Sequence, residues 1–515
     1  MRKRSVIASL LISIPLTGSS IYIALKLGAL PWPTIFCAII AYALLQGQDL
    51  REVNIAEAGG TTGALIGGAI AFTVPAIWFM GGTLTTMDVL RFSVVILIAS
   101  LTGIFLSSSL QDKLLDTLPF PEGQATAEML KSISVKKSFF LSLALAGIFS
   151  LLRDFYLPGG YPVSFLGISL VFSPLLMGIG GGYIMGKKTS FSWFAGALLG
   201  WVVLEPLLGL EGSMIQNIGL GLLLGSSISF LVSFVLKTRF SRISIALAVI
   251  SFVTLTAIGL NPLASLIAVL FAYMFAAVAF RMTGETNVDP LEQFGLVTGV
   301  VIFTLFSYMN MSITTTELIT AVLFVASLAA VCGDIGHDFK AAKILGTDKK
   351  EIMKIEIIST VAASIFAPIF LLVLYKAYTP QLFTDVLPAP QAQMVARSIF
   401  GYEHPWAFLL SFALAFSAQV LVKDKILSLP ALGIGMFLNL NLGLLFFAGG
   451  FWRAIDERRG KADINIPSSL LAGEGLAGFA SALLIVLGIK PLYTVLILAV
   501  LFLVLPVKHL IPQKH

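Results

Sequence analysis

Apolar residues run through the chain in long stretches, interrupted by short clusters of charge, Gly and Pro. About 20 apolar residues, as a helix rising about 1.5 Å per residue, suffice to cross a hydrocarbon layer about 30 Å thick. In the first half such runs lie near residues 5–28, 32–47, 60–81, 88–110, 138–157, 162–186, 190–208 and 213–236. In the second half they lie near 243–260, 262–281, 291–309, 314–332, 352–376, 404–422, 427–452, 466–488 and 490–507. These seventeen segments leave almost no chain for a soluble domain. The pattern predicts an all-α, polytopic transmembrane helical bundle of 14–17 crossings with re-entrant or broken helices.

Composition strengthens this reading. Of 515 residues, 57% are hydrophobic and 12% charged, and the mean hydropathy is +0.96. A soluble chain has about 25% charged residues, so a cytosolic enzyme, a nucleic-acid binder and a disordered protein are excluded. The net charge of +6 follows from basic residues in short loops on the cytoplasmic side. Met-Arg-Lys-Arg before the run 5–28 resembles a signal peptide, but the run is long and has no small-residue cleavage site, so it reads as a first span with a cytoplasmic N-terminus. From there, Lys136-Lys137, Lys187-Lys188, Lys237 to Arg242, Lys340 to Lys354 and Lys423 to Lys425 fall inside. Full crossing of 427–452 would place Arg453, Arg458, Arg459 and Lys461 outside, so that segment is expected to be re-entrant or broken.

The halves, 1–240 and 241–515, share elements in the same order. Leu118 to Pro121 and Leu387 to Pro390 both read Leu-Pro-x-Pro, 269 positions apart. Leu166 to Tyr183 resembles Leu432 to Phe451, pairing Gly167 with Gly433 at 266, and Ala195-Gly196 pairs with Ala472-Gly473 at 277. Duplicated halves with a binding site between them are a common build of secondary transporters.

No nucleotide or metal machinery competes with this reading. Gly181 to Lys187 is followed by Lys188 where a phosphate loop needs Ser or Thr. Cys37 and Cys332 are far apart, the four His form no ligand spacing, and neither a cofactor nor a resident metal is expected. Four broken or polar stretches carry the candidate chemistry, because non-helical backbone at membrane depth needs protein or water to satisfy it.

In Asn54 to Pro75, Gly59 and Gly60 are expected to break the helix, and Gly59, Gly63 and Gly67 form a small-residue packing stripe. Glu57 is either an interfacial acid kept in water or a protonation site, since a charge at a span's centre costs about 2.5–3.5 kcal/mol. In Leu118 to Leu130, Pro119 and Pro121 enforce extended chain before a short helix carrying Glu122, Gln124 and Glu128. In Cys332 to Thr347, Asp334, His337 and Asp338 read as a solvated loop paired to Lys340 and Lys343, with metal binding the weaker option. In Leu387 to Gly401, Pro388 and Pro390 recur with Gln391 and Gln393, and Arg397 faces either Glu403 or the solute. Glu474 lies inside an apolar run, and Glu205 lies beside Pro206.

The succession NIAEAGGTTGALIGGAIAFTVPA, LPFPEGQATAEML, GDIGHDFKAAKILGT, LPAPQAQMVA and LAGEGLAG resembles the oligopeptide transporter family, including its yellow-stripe-like metal-chelate branch, over nearly the whole chain. The compact length is similar to that of prokaryotic members. The resemblance implies proton-coupled symport of short peptides or peptide-like solutes across the plasma membrane, or, alternatively, uptake of metal–chelate complexes. In that frame Glu57, Glu122 and Glu474 are the protonation candidates, and Gln124, Gln391, Asn439, Asp334 and Asp338 the solute-binding candidates. The expected partners are solute, protons and the lipid bilayer, with no nucleic acid; a homodimer is left open. An intramembrane enzyme using Glu57 with Asp334, or a passive channel, are the rival classes.

Overall fold

A computed structural model describes residues 2–30, 33–45, 49–132, 137–157, 160–165, 168–232, 242–286, 291–384, 386–400, 404–421 and 427–510. Lys136, Leu166-Gly167, Lys237, Glu403 and Lys423 to Lys425 lie outside the described residues. The first half runs α1 (Lys3–Leu27), α2 (Pro33–Leu44), α3 (Leu50–Thr73), α4 (Pro75–Phe79), α5 (Thr86–Leu114), α6 (Pro121–Ser132), α7 (Lys137–Tyr156), β1 (Tyr161–Phe165), β2 (Ile168–Phe172), α8 (Leu176–Leu198), a π-helical turn (Leu199–Leu204), α9 (Glu205–Leu208) and α10 (Gly212–Val232). The second runs α11 (Arg242–Ala257), α12 (Pro262–Thr286), α13 (Leu291–Tyr308), α14 (Thr315–Leu345), α15 (Lys349–Tyr378), α16 (Pro390–Phe400), α17 (Pro405–Leu421), α18 (Leu429–Phe437), α19 (Leu440–Arg458), α20 (Asn465–Val486) and α21 (Pro491–Leu510).

Among the described residues nine helices are long and apolar enough to span a bilayer, and the chain is a multi-pass membrane protein. Apolar side chains left exposed on α11, α17 and α21, such as Val253, Leu410, Leu414, Leu496 and Val500, suit contact with lipid. By contrast α3 and α14 are enclosed almost throughout. Local chemistry fixes their ends: Asp49 caps α3, and Thr314 with Glu317 forms a reciprocal capping box on α14.

Helix directions follow from contacts. Ser9, Gly59 and Ser359 meet at one level, and Tyr22 packs on Tyr378 further along, so α1, α3 and α15 run one way. Gly103 packs on the Leu328 carbonyl and Ser107 donates to that of Cys332 at 2.9 Å, while Cys332 Sγ reaches the Ala276 carbonyl at 3.5 Å and Gly284 and Gly336 both meet the Phe120 ring, so α5, α12 and α14 run the same way. The short turn at Gly346 folds α15 back along α14, so the two triplets are antiparallel.

Several sequence expectations change here. Gly59 and Gly60 do not break α3, which is continuous; a Cβ at Gly63 or Gly67 would collide with the carbonyls of Ser13 or Thr17, so these glycines let α1 and α3 touch backbone to backbone. The run 32–47 contains a helix of only 12 residues, about 18 Å long and too short to cross. The run 162–186 begins as an antiparallel hairpin, Tyr161 to Phe172, because alternating large apolar residues next to Gly160 favour strand pairing. Asp334, His337 and Asp338 lie inside α14 and are buried, not solvated. Lys340 instead donates to the Leu115 and Leu118 carbonyls at 3.0 and 2.9 Å, and Lys343 pairs with Asp116.

The segment 427–452 is broken. Helix α18 ends at Phe437, Asn439 caps α19 by accepting the Leu442 N–H at 3.1 Å, and α19 returns so that Glu457 meets Lys187 at 3.1 Å. In α8, Gly186 takes φ 80°, ψ 166°, a conformation Gly alone adopts freely, and the helix doubles back so that Ser190 Oγ donates to the Gly182 carbonyl at 2.6 Å. These two helical hairpins interlock. A Cβ on Gly182 would strike the Phe446 carbonyl, and one on Gly435 the Trp193 carbonyl; likewise Gly449 meets the Ile179 carbonyl and Gly196 that of Leu432. Each of Ile179, Gly182, Trp193 and Gly196 stands 253 positions from its counterpart Leu432, Gly435, Phe446 and Gly449. The pairings of Gly167 with Gly433 and Ala195 with Ala472 are therefore not the ones these contacts repeat. The Leu-Pro-x-Pro pairing does recur: Phe120 (φ 45°) donates its N–H to the Gly284 carbonyl at 2.9 Å, and Ala389 (φ 44°) to that of Leu25 at 2.7 Å.

Candidate functional site

Three buried polar regions emerge from this packing. The first is a cluster of acids where α3, α6, α14 and α15 converge. Glu57 accepts from Asn54 Nδ2 at 3.0 Å and from Thr61 Oγ1 at 3.4 Å, and Asp338 and Glu122 act on it electrostatically. Asp338 and Glu356 come together across the α14–α15 turn and act on each other, and a bond between two such carboxyl groups would require a proton on one of them. Thr34 of α2 lies beside Glu122, on which the Asp338 charge also acts. None of Glu57, Asp338 and Glu356 pairs with Lys or Arg among the described residues. The chemistry available to such a group is proton binding and release.

The second region, between α1, α7 and α20, balances its charges. Arg153 pairs with Glu474 and Asp154, and Lys26 approaches Asp154 at 3.5 Å and donates to Tyr22 at 3.0 Å. Glu474 also accepts the Met177 N–H at 2.8 Å, and Arg153 reaches the Pro174 carbonyl at 3.1 Å. Two cations thus face two carboxylates, which suits a structural tie.

The third region is a pair of cavities at the two helix breaks. One of about 680 Å³ surrounds Asn439 and is walled by Asn441, Gln216, Gln393, Pro388 and Trp201. The other, about 350 Å³, surrounds Gly186 and is walled by Glu122, Asp334, His337, Trp193 and Arg453. Helix α18 runs beside the second arm of α8, with Ser428 at Ser192 and Leu438 at Trp201, and so opposes the first arm. The breaks that end α18 and that first arm therefore point to opposite faces of the bundle.

The sequence candidates divide among these regions. Glu57, Glu122, Asp334 and Asp338 come together, while Glu474 sits in the ion-pair network. Asn439, Pro388 and Pro390 line the larger cavity, and Pro121 the smaller. Gln391 is buried and donates to the Gly28 carbonyl at 2.7 Å, tying α16 to the end of α1. Gln124 is half-buried on α6 and lines neither cavity. Arg397 bonds Gln216 and lies 5.6 Å from the Phe79 ring. Glu356, Arg153, Asp154 and Lys26 escaped the sequence reading, although each was visible as a charge within or at the edge of an apolar run. No three His, Cys, Asp or Glu side chains among the described residues form a metal-binding group.

Metal-nicotianamine transporter YSL2 of Arabidopsis thaliana is 26% identical to this chain over 192 residues. That alignment covers 32% of this chain and 28% of the relative's length. A family model described as OPT oligopeptide transporter protein matches residues 3–218 and 230–485, which include the acid cluster, the ion-pair network and both helix breaks. The chain therefore belongs to the OPT oligopeptide transporter family.

Proposed function

We propose that the protein is a proton-coupled secondary transporter of short peptides or peptide-like solutes in the plasma membrane, built from two inverted repeats, residues 1–240 and 241–515, with its N-terminus in the cytoplasm. The observation that carries the proton part is the buried Glu57, Asp338 and Glu356 group, which shares its space with further acids and has no basic partner among the described residues. Ionising all of it at once in a low-dielectric interior is prohibitive, so the group loads and unloads protons as water reaches it from one side or the other. The two cavities at symmetry-related breaks support the solute path, because rocking one repeat against the other would open them in turn. Amides of Gln216, Gln393, Asn439 and Asn441 around the larger cavity offer both donors and acceptors to a peptide backbone. Glu474 remains a further protonation candidate, though its pairing with Arg153 favours a permanently charged state.

A second reading, uptake of a metal–chelate complex, is favoured by the similarity to a metal-nicotianamine transporter. The discriminating experiment reconstitutes the protein in liposomes and measures uptake of trialanine and of iron–nicotianamine, with and without an inward proton gradient. Gradient-driven uptake of trialanine that falls roughly tenfold or more in Glu57→Gln is the expected result. Uptake indifferent to the gradient would reject proton coupling, and uptake of the chelate alone would select the second reading.

A further inference from the structure

Buried N–H groups in native proteins almost always have acceptors, so two without any on the wall of one cavity call for an explanation. His337 and Trp193 both line the 350 Å³ cavity around Gly186, and each is only 1% exposed. Neither His337 Nε2 nor Trp193 Nε1 has a hydrogen-bond partner among the described residues. The imidazole is held firmly: its Nδ1 accepts the Gly123 N–H at 3.3 Å, and the Phe120 ring meets it edge to face at 5.7 Å. An Nδ1 that accepts the Gly123 N–H leaves the proton of a neutral imidazole on Nε2. Two fixed donors without acceptors therefore belong to residues that line this cavity, one from α14 and one from the second arm of α8. These are elements of opposite halves.

We propose that His337 and Trp193 bind the carboxylate of the transported solute, each donating to one or other of its oxygens. The inference rests on the transport reading above and adds the chemical class that the cavity recognises. A carboxylate has two acceptor oxygens and, unlike a hydroxyl or amine, asks nothing but donors of its site. Among the described residues, Glu122, Asp334 and Arg453 are the other ionisable side chains on the wall. With Glu122 and Asp334 ionised, a solute carboxylate would be repelled, so the two donors become useful when those acids carry protons, and solute and proton would load together. Free peptides and amino-acid-derived chelators both carry carboxylates, so the assignment serves either solute class.

The test is trialanine uptake in proteoliposomes by wild type, His337→Phe, His337→Gln and Trp193→Phe, alongside uptake of trialanine amide. Loss of a hydrogen bond to a charged group raises KM for trialanine roughly tenfold or more in His337→Phe and Trp193→Phe, with the maximal rate nearly unchanged. His337→Gln, which keeps a donor, recovers much of the affinity, and the amide is affected less by every variant. An unchanged KM in His337→Phe and Trp193→Phe, or equal losses for acid and amide, overturns the proposal. If wild type carries neither trialanine nor iron–nicotianamine, the transport reading fails first. The carboxylate assignment is then judged separately, by whether excess acetate, but not acetamide, shields His337 from diethyl pyrocarbonate as read by mass spectrometry; absence of that selective shielding overturns it.

Discussion

The acid cluster and the ion-pair network occupy the same bundle at similar burial, yet they solve the problem of charge in an apolar interior in opposite ways. In the network, Arg153 and Lys26 neutralise Asp154 and Glu474, and backbone groups of Pro174 and Met177 take up remaining hydrogen-bonding capacity. In the cluster, Glu57, Asp338 and Glu356 have no Lys or Arg partner among the described residues, so protons rather than counter-ions must offset their charge. A compensated site holds one arrangement, whereas an acid-only site changes charge with access to water. On the proposed reading, the difference makes α1, α7 and α20 the rigid tie and α3, α14 and α15 the part whose state switches.

The largest effect separating the two should come from Arg153. Replacing it by Met leaves Glu474 buried without its counter-ion, and breaking a buried pair in this way costs roughly 3–5 kcal/mol. Thermal unfolding of the purified protein in detergent should fall accordingly, and Arg153→Met combined with Glu474→Leu should recover most of the loss, because the isolated charge is gone. A double variant as unstable as the single one would mean that the network is not a local charge balance. Glu356→Gln should behave in the contrary fashion. An amide can still bond Asp338, so the unfolding temperature should stay close to wild type, while proton-driven uptake falls roughly tenfold, the effect of about 1.4 kcal/mol on a proton's binding. Strong destabilisation without a specific loss of gradient dependence would place Glu356 with the structural ties.

Much of this contrast was legible before any coordinates. The hydropathy pattern dictates a helical membrane bundle, and Glu57, Glu122 and Glu474 stand out as acids in or beside apolar runs. The positive residues after 452 pointed to a re-entrant or broken helix, and the chain breaks at Leu438-Asn439. What the linear pattern hides is partnership. Asp338 and Glu356 meet because α15 folds back along α14 at Gly346, and Glu356, close to the basic stretch 340–354, reads as an ordinary helix-end acid. Glu474 and Arg153 are 321 positions apart, and nothing local distinguishes a paired buried acid from a protonated one. The repeat register was obscured for another reason. What the two hairpins share is close backbone approach at Gly182, Gly196, Gly435 and Gly449, which constrains side-chain size at few positions, so the matching Leu-Gly-Ile strings suggested a different offset. The hairpin Tyr161 to Phe172, which follows α7 and has no equivalent between α17 and α18 among the described residues, adds the length that moves the offset from 269 to 253.

The smallest expected effect tests whether burial, and not charge pairing as such, makes the network matter. Asp116 and Lys343 form an ion pair outside the apolar core, with both side chains more than half exposed. The hydrogen bond and charge of Lys343 hold the Asp116 carboxyl below its ordinary range. A depressed carboxyl contributes stability that is present above its unfolded-state pKa and is lost as pH falls through its folded-state value, so any contribution belongs to neutral pH and vanishes in acid. Water and salt screen exposed pairs of this kind, and most contribute little. Asp116→Asn should therefore leave the unfolding temperature and the uptake rate unchanged at neutral pH, even though it removes a pair that joins the end of α5 to α14. If it instead matched Arg153→Met, the tie between those helices would depend on pairing at the membrane surface, and the distinction drawn between compensated and acid-only interiors would have to be replaced by one between helices that are pinned at their ends and helices that are not.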